Sequence, residues 1–131
     1  IESSIELKDS VALVLDIHHH LIHSAGEYLS PADDRWKHII DSWRGTRPVI
    51  HYSLSREDVL QGHDINEKPD VNKILTEGIS NKSKLRAHSD AAWNRASNLW
   101  ALEFWNDADI QFEAKFKNIA SMQLYEDSKT I

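Results

Sequence analysis

Residues 11–20 read Val11-Ala12-Leu13-Val14-Leu15-Asp16-Ile17-His18-His19-His20, an unbroken apolar run that delivers a carboxylate and then imidazoles where it stops being apolar. Five consecutive Val, Leu and Ala residues without polar alternation suit a strand covered on both faces, as in a parallel sheet packed under helices. Side chains at the C-terminal end of such a strand point into the mouth of the sheet, where α/β enzymes place their chemistry. Asp16 and His19 are therefore the first candidates for a site.

Two further strand candidates follow, 47–53 (Arg-Pro-Val-Ile-His-Tyr-Ser) and 108–115 (Ala-Asp-Ile-Gln-Phe-Glu-Ala-Lys). Helical spacing separates and follows them: Trp36, Ile39, Ile40 and Trp43 with Gly45 as a C-cap, then Trp93, Ala96, Leu99, Trp100 and Phe104 within 91–105, then Ile119, Met122 and Leu124 within 116–125. The alternation predicts an α/β fold of three β/α units, with right-handed parallel crossovers and all strand C-termini on one rim. Residues 57–84 break the rhythm with Gly62, Pro69 and Gly78, and read as an insertion carrying one short helix near 70–77. Ser89 or Asp90 is positioned to cap the helix that follows.

Period-two geometry places His51 on the face of Val49, and Glu113 on the face of Gln111 and Asp109. Each strand thus offers one inward ligand type near its end: Asp16, His51 and Glu113. Mixed N/O ligands suit Mn²⁺, Zn²⁺ or Fe²⁺, and two or three such ions can clamp a phosphodiester while generating a hydroxide. Plainer roles exist for the same residues. Taken singly, the His18–His20 run reads more readily as a solvated loop and His51 as a hydrogen-bonded core or rim residue, while Glu113 can pair with Lys115 or Lys117 and His88 can be a loop residue. The strand-end placement favours a site.

The chain has no cysteine, so disulfides, thiolate metal sites and cysteine nucleophiles are excluded, and its eight histidines become the ligand supply. A formal net charge of −6 excludes a polybasic nucleic-acid module; phosphate contact would come from a local patch or from bound cations. No run approaches the roughly 18 apolar residues of a membrane span, so no membrane partner is expected. Four of the five tryptophans fall on helical stripes, which favours packing against the sheet over base stacking. The start at Ile1 suggests an excised or trimmed segment.

In order, Val-Leu-Asp16-x-His-His19, Ile-His51-Tyr-Ser, Ala-His88-Ser-Asp and Asp-Ile-x-x-Glu113-Ala-Lys resemble the C-terminal part of the UV damage endonuclease family. The four motifs cover nearly the whole of residues 1–131. The resemblance implies the last three β/α units of a (β/α)8 TIM barrel, related in architecture to endonuclease IV and to xylose-isomerase-like proteins. A whole barrel takes roughly 200 or more residues, so the missing N-terminal units, or another copy of the chain, would complete it. It further implies DNA repair by hydrolysis of the phosphodiester 5′ of UV photoproducts in damaged double-stranded DNA, inside the cell: the cytoplasm of a prokaryote, or the nucleus or mitochondrion of a eukaryote.

The implied cofactor is a divalent metal cluster, Mn²⁺ before Zn²⁺ or Mg²⁺, held by Asp16, His19, His51, His88 and Glu113. Asp16, His51 and Glu113 would share one metal region, and His19 with His88 would reach another. The sequence departs from the family pattern at Val49, where an inward lysine is common, and in the length of 57–84. Two rival readings remain: a metal-dependent sugar isomerase or epimerase of the same fold, and a non-catalytic barrel fragment or binding module.

Overall fold

A computed structural model describes residues 1–60, 63–113 and 125–129, Glu2 and Ser3 by backbone alone. The expected helix at 116–125 lies, apart from Tyr125, outside the described residues. Three strands, β1 (Leu15–Asp16), β2 (Val49–Tyr52) and β3 (Asp109–Phe112), form one parallel sheet in the order β1-β2-β3. The helices are α1 (Glu2–Ile5), α2 (Ile17–His23), α3 (Asp34–Asp41), α4 (Val71–Thr76), α5 (Lys82–Arg86) and α6 (Arg95–Leu102). The architecture is therefore mixed α/β with a small parallel sheet. Among the described residues no helix is long and apolar enough to cross a membrane.

Register fixes the two faces of the sheet. Leu15 pairs with Ile50 and Ile50 with Ile110; Asp16 pairs with His51 and His51 with Gln111. Paired residues share a face, and the face alternates along each strand. One face carries Leu15, Ile50, Tyr52 and Phe112, all buried in a core shared with Trp36, Trp100 and Phe104. The other carries Asp16, Val49, His51 and Gln111, and no residue of it is fully buried.

The first strand departs most from expectation. Leu13, Leu15 and Ile17 are buried, but Ala12 and Val14, which alternate with them, are exposed, Val14 by 52%, so the apolar run is covered on one side only. The strand is also two residues long, because Asp16 already acts as a helix cap. Its side chain accepts the His19 N–H at 2.8 Å and α2 begins at Ile17. A short polar side chain that satisfies a free N–H of the first turn converts a strand end into a helix start.

The 57–84 segment is built into the core. Leu60, Val71 and Ile74 are buried, and Tyr28 donates to the Pro69 carbonyl at 2.5 Å. The short helix expected near 70–77 is α4, capped by Asp70, but a second one, α5, follows it. Helix α6 is capped by Asn94 rather than by Ser89 or Asp90. Its buried side includes Ser97 and Asn98, while Ala96 and Leu99 stay half-exposed, so the expected apolar stripe is partly displaced.

Hydrogen bonding explains that displacement. The Asn98 amide donates to Ala92 O at 2.9 Å and to Asp127 Oδ2 at 2.7 Å, and its oxygen accepts from the Tyr52 hydroxyl at 2.8 Å. A buried amide with its donors and acceptor used carries little desolvation penalty. Burial above all holds the Tyr52 hydroxyl well above the usual phenol range, so it remains a donor. The tryptophans pack, as their spacing suggested. Trp36, Trp43, Trp93 and Trp100 each direct the indole N–H to an internal acceptor: Asp107, Leu13 O, Ser55 O and Leu29 O.

Asn98→Ala should lower the unfolding free energy by about 2–3 kcal/mol, because it removes the buried hydrogen bonds to the Tyr52 hydroxyl, the Asp127 carboxylate and the Ala92 carbonyl. Urea denaturation followed by tryptophan fluorescence measures this; a change below about 0.5 kcal/mol, the range of ordinary surface substitutions, would contradict the assigned network.

Candidate metal centre

Asp16 and His51 stand side by side in the sheet register, at the ends of β1 and β2. Glu113 follows β3 directly, and its N–H donates to Tyr52 O at 2.8 Å, continuing the ladder one step. Because Glu113 has the parity of Gln111, its side chain rises on the same open face as His51. One ligand atom from each of Asp16, His51 and Glu113 lies within 4.8 Å of the others, and all three residues are half-buried. His51 Nδ1 meets Glu113 Oε1 at 2.6 Å.

The chemistry of this donor set fits a divalent cation. Two carboxylates and an imidazole form a mixed O/O/N set of the kind borne by Mn²⁺, Zn²⁺ and Fe²⁺. Asp16 spends Oδ1 on the α2 cap and retains Oδ2. Among the described residues this is the group of three or more such side chains close enough to hold one ion.

The other two expected ligands stand apart from the triad. His88 Nδ1 is 3.8 Å from Glu113 Oε2, adjacent but beyond hydrogen-bonding distance. His19 is not brought into the group. Its backbone N–H is the one that caps on Asp16, and its exposed ring stacks on His23 one turn later, with centroids 6.2 Å apart. It does line, with Asp16, Val14 and Ile39, a cleft of about 200 Å³ beside β1.

Helical geometry sends the three consecutive histidines to different places, since successive side chains differ by about 100° around the axis. His20 turns to Glu27 at 2.5 Å, and Glu27 also pairs with Arg35 at 2.7 Å. Both interactions hold the Glu27 carboxyl below its ordinary range, the His20 hydrogen bond foremost. His18 points into the core and is only 4% exposed. The apolar-run argument did not single it out.

His18 is held between two serines of the segment that follows β2. Its Nε2 lies 3.1 Å from Ser55 Oγ, and its Nδ1 lies 3.0 Å from Ser53 Oγ. Ser55 Oγ donates its one proton to Leu85 O at 2.7 Å, so it must accept from His18 Nε2–H. Nδ1 then accepts from the Ser53 hydroxyl. Burial, the dominant cause, pushes this imidazole down from 6.5 to about 4, against the upward pull of Asp16. His18 is thus a neutral residue with both nitrogens occupied, which excludes it as a ligand and makes it a clamp joining α2, β2 and α5. The Ser-x-Ser spacing after β2 was the available signal: period two turns both hydroxyls to one side.

A broad cleft of about 840 Å³ lies at the other end of the strands, lined by Arg47, Leu102, Trp105 and Ser128. Arg47 there pairs with Asp109 at 2.7 Å and reaches the Trp105 and Ala108 carbonyls, closing the N-terminal ends of β2 and β3.

No family model, curated protein or solved structure matches this chain.

His18→Ala should cost about 2–4 kcal/mol at pH 7.5, since it leaves two buried hydroxyls and a cavity. The unfolded chain takes up a proton at His18 below pH 6.5, whereas the folded chain resists until about pH 4. Stability is therefore lost as pH falls through that window, by about 3 kcal/mol from this residue. Urea unfolding of chelator-treated protein between pH 7 and pH 4 should show this loss in the wild type, and a smaller one in His18→Gln; parallel curves would exclude the assignment.

Proposed function

We propose that this chain contributes part of the metal centre of a DNA repair endonuclease of the UV damage endonuclease type, as the last three β/α units of a (β/α)8 barrel. The observation that carries the reading is the convergence of Asp16, His51 and Glu113 on the open face of a parallel sheet, at the strand C-termini. Parallel sheets are almost always covered on both faces, and in a barrel the second face is the packed interior. The half-exposed Val14 shares its face with Asp16 and invites such cover.

Asp16, His51 and Glu113 would hold the ion, with His88 beside Glu113 at the margin. A divalent cation bound there supplies Lewis-acid polarisation of a phosphoryl oxygen and neutralises charge developing on the phosphodiester. The chain's own contribution is orientation. The Asp16 carboxylate is fixed by the His19 N–H, His51 by its place in β2, and the His88 loop by the bridge between Ser55 and His88. An extruded lesion would cost less to accept than an intact base, because its stacking is already disturbed.

Val49 favours a second reading, a non-catalytic barrel fragment. It stands two residues before His51 on the same face, where the resembled family commonly carries a lysine, and an aliphatic side chain cannot ligate. Metal affinity separates the two readings.

Calorimetric titration with Mn²⁺ should show one saturable site whose affinity falls at least about tenfold in His51→Ala, the lower end of what loss of a supporting residue costs a metal site. Nicking of UV-irradiated duplex 5′ of the lesion, with unirradiated duplex and a ketose as controls, tests the substrate. Absence of Mn²⁺ binding in both proteins would overturn the metal-centre reading.

A further inference from the structure

The chain is acidic overall, yet 79–89 contains Lys82, Lys84 and Arg86, no carboxylate and His88. All three cationic residues are exposed, and none is ion-paired with a carboxylate of the described residues. This contrasts with Arg35, Arg47 and Arg56, each of which is neutralised locally by Asp33, Asp109 or Asp58.

Helix α5 holds these charges in a fixed place. Leu85 is fully buried, its carbonyl accepts from Ser55 Oγ at 2.7 Å, and Lys82 Nζ donates to His23 O at 3.1 Å. The helix lies along α2, with Lys82 at the far end of α2 and the chain after Arg86 running back towards the start of α2. There the His88 and His18 ring centroids are 6.3 Å apart, and His88 Nδ1 is 3.8 Å from Glu113 Oε2. Arg86 is thus two residues from His88, beside the metal-ligand group. Lys82 and Arg86, four residues apart, share one side of α5, and Lys84 stands on the other side of the buried Leu85.

We propose that the exposed surface of α5, with Lys82 and Arg86 on one side and Lys84 on the other, is a docking surface for a phosphodiester backbone, which it holds alongside the Asp16–His51–Glu113 group. The proposal rests on the functional reading above and adds to it the residues that carry the backbone. Charge complementarity selects the occupant: exposed cations without a carboxylate partner among the described residues, adjacent to ligands for a phosphate-clamping ion, match a repeating monoanion. The contacts position the strand and carry no sequence information.

The test is fluorescence anisotropy of a labelled 20-base-pair duplex in EDTA, with salt varied from 50 to 200 mM. The wild type is compared with Lys82→Gln/Lys84→Gln/Arg86→Gln and with a charge-matched control, Lys8→Gln/Lys37→Gln/Lys129→Gln. The α5 variant should lower the slope of log affinity against log salt by about 0.9 for each phosphate contact it removes, up to about 2.7 for all three, while the control leaves it near the wild-type value. Equal slopes in all three proteins, or equal losses in the two variants, would overturn the proposal. So would polyglutamate displacing the duplex as effectively, charge for charge, as unlabelled DNA.

Lys84→Glu alone serves if the triple variant fails to fold, as judged by its urea midpoint. Mn²⁺ calorimetry of the α5 variant separates the two ideas. Retained Mn²⁺ binding with an unchanged salt slope sinks only the docking surface. An α5-dependent slope in a chain that binds no Mn²⁺ sinks only the metal centre.

Discussion

A neutral imidazole between two hydroxyls ties together the three parts of the rim. His18 belongs to the first turn of α2, Ser53 and Ser55 to the extension of β2, and the Leu85 carbonyl, which takes the Ser55 proton, to α5. A chain of directional hydrogen bonds in a dry environment admits few alternative geometries, because breaking any link strands a buried polar atom. Asp16 lies two residues before this clamp, His51 two residues before Ser53, and His88 three residues after Leu85. The spacing of these three candidate ligands is thus set by residues that are not themselves candidates.

The sheet is finished on one face and open on the other. On the finished face Trp36, Tyr52, Trp100, Phe104 and Phe112 meet edge to face, with ring centroids 5.2–6.4 Å apart. That arrangement combines large apolar burial with favourable quadrupole geometry. The open face holds the carboxylates, His51 and two valines. The candidate site and the uncovered face of the sheet therefore coincide.

Much of this was legible in the sequence, and the failures have definite causes. Parity along apolar strands placed Asp16, His51 and Glu113 on one face, because a period of two leaves no other choice once the strand is right. His19 stands outside the Asp16–His51–Glu113 group because Asp16, which ends β1, is also the cap that starts α2 at Ile17, and a short carboxylate serves either role equally well. One residue of shift between strand and helix redirects every side chain after it. Helices α1, α2 and α5 escaped notice because four to seven residues show little periodicity and draw their stability from tertiary contacts. The stripe on α6 was partly misassigned because Asn98 behaves as a core residue once Tyr52, Ala92 and Asp127 occupy its amide.

In the proposed metal centre Asp16 would serve twice, as helix cap and as ligand, and so would tie helix order to ligand binding. A free aspartate must give up side-chain rotamers when it grips an ion, and this lost entropy weakens binding. Here the His19 amide already holds the carboxylate in place at 2.8 Å, so the cost is met when the chain folds. The linkage is reciprocal: an ion that favours the capped orientation suppresses fraying of α2, and any fraying of that first turn releases the ion. The first amides of α2 would then report occupancy, slow to exchange with solvent when the carboxylate is engaged on both sides and faster when the cap alone restrains it.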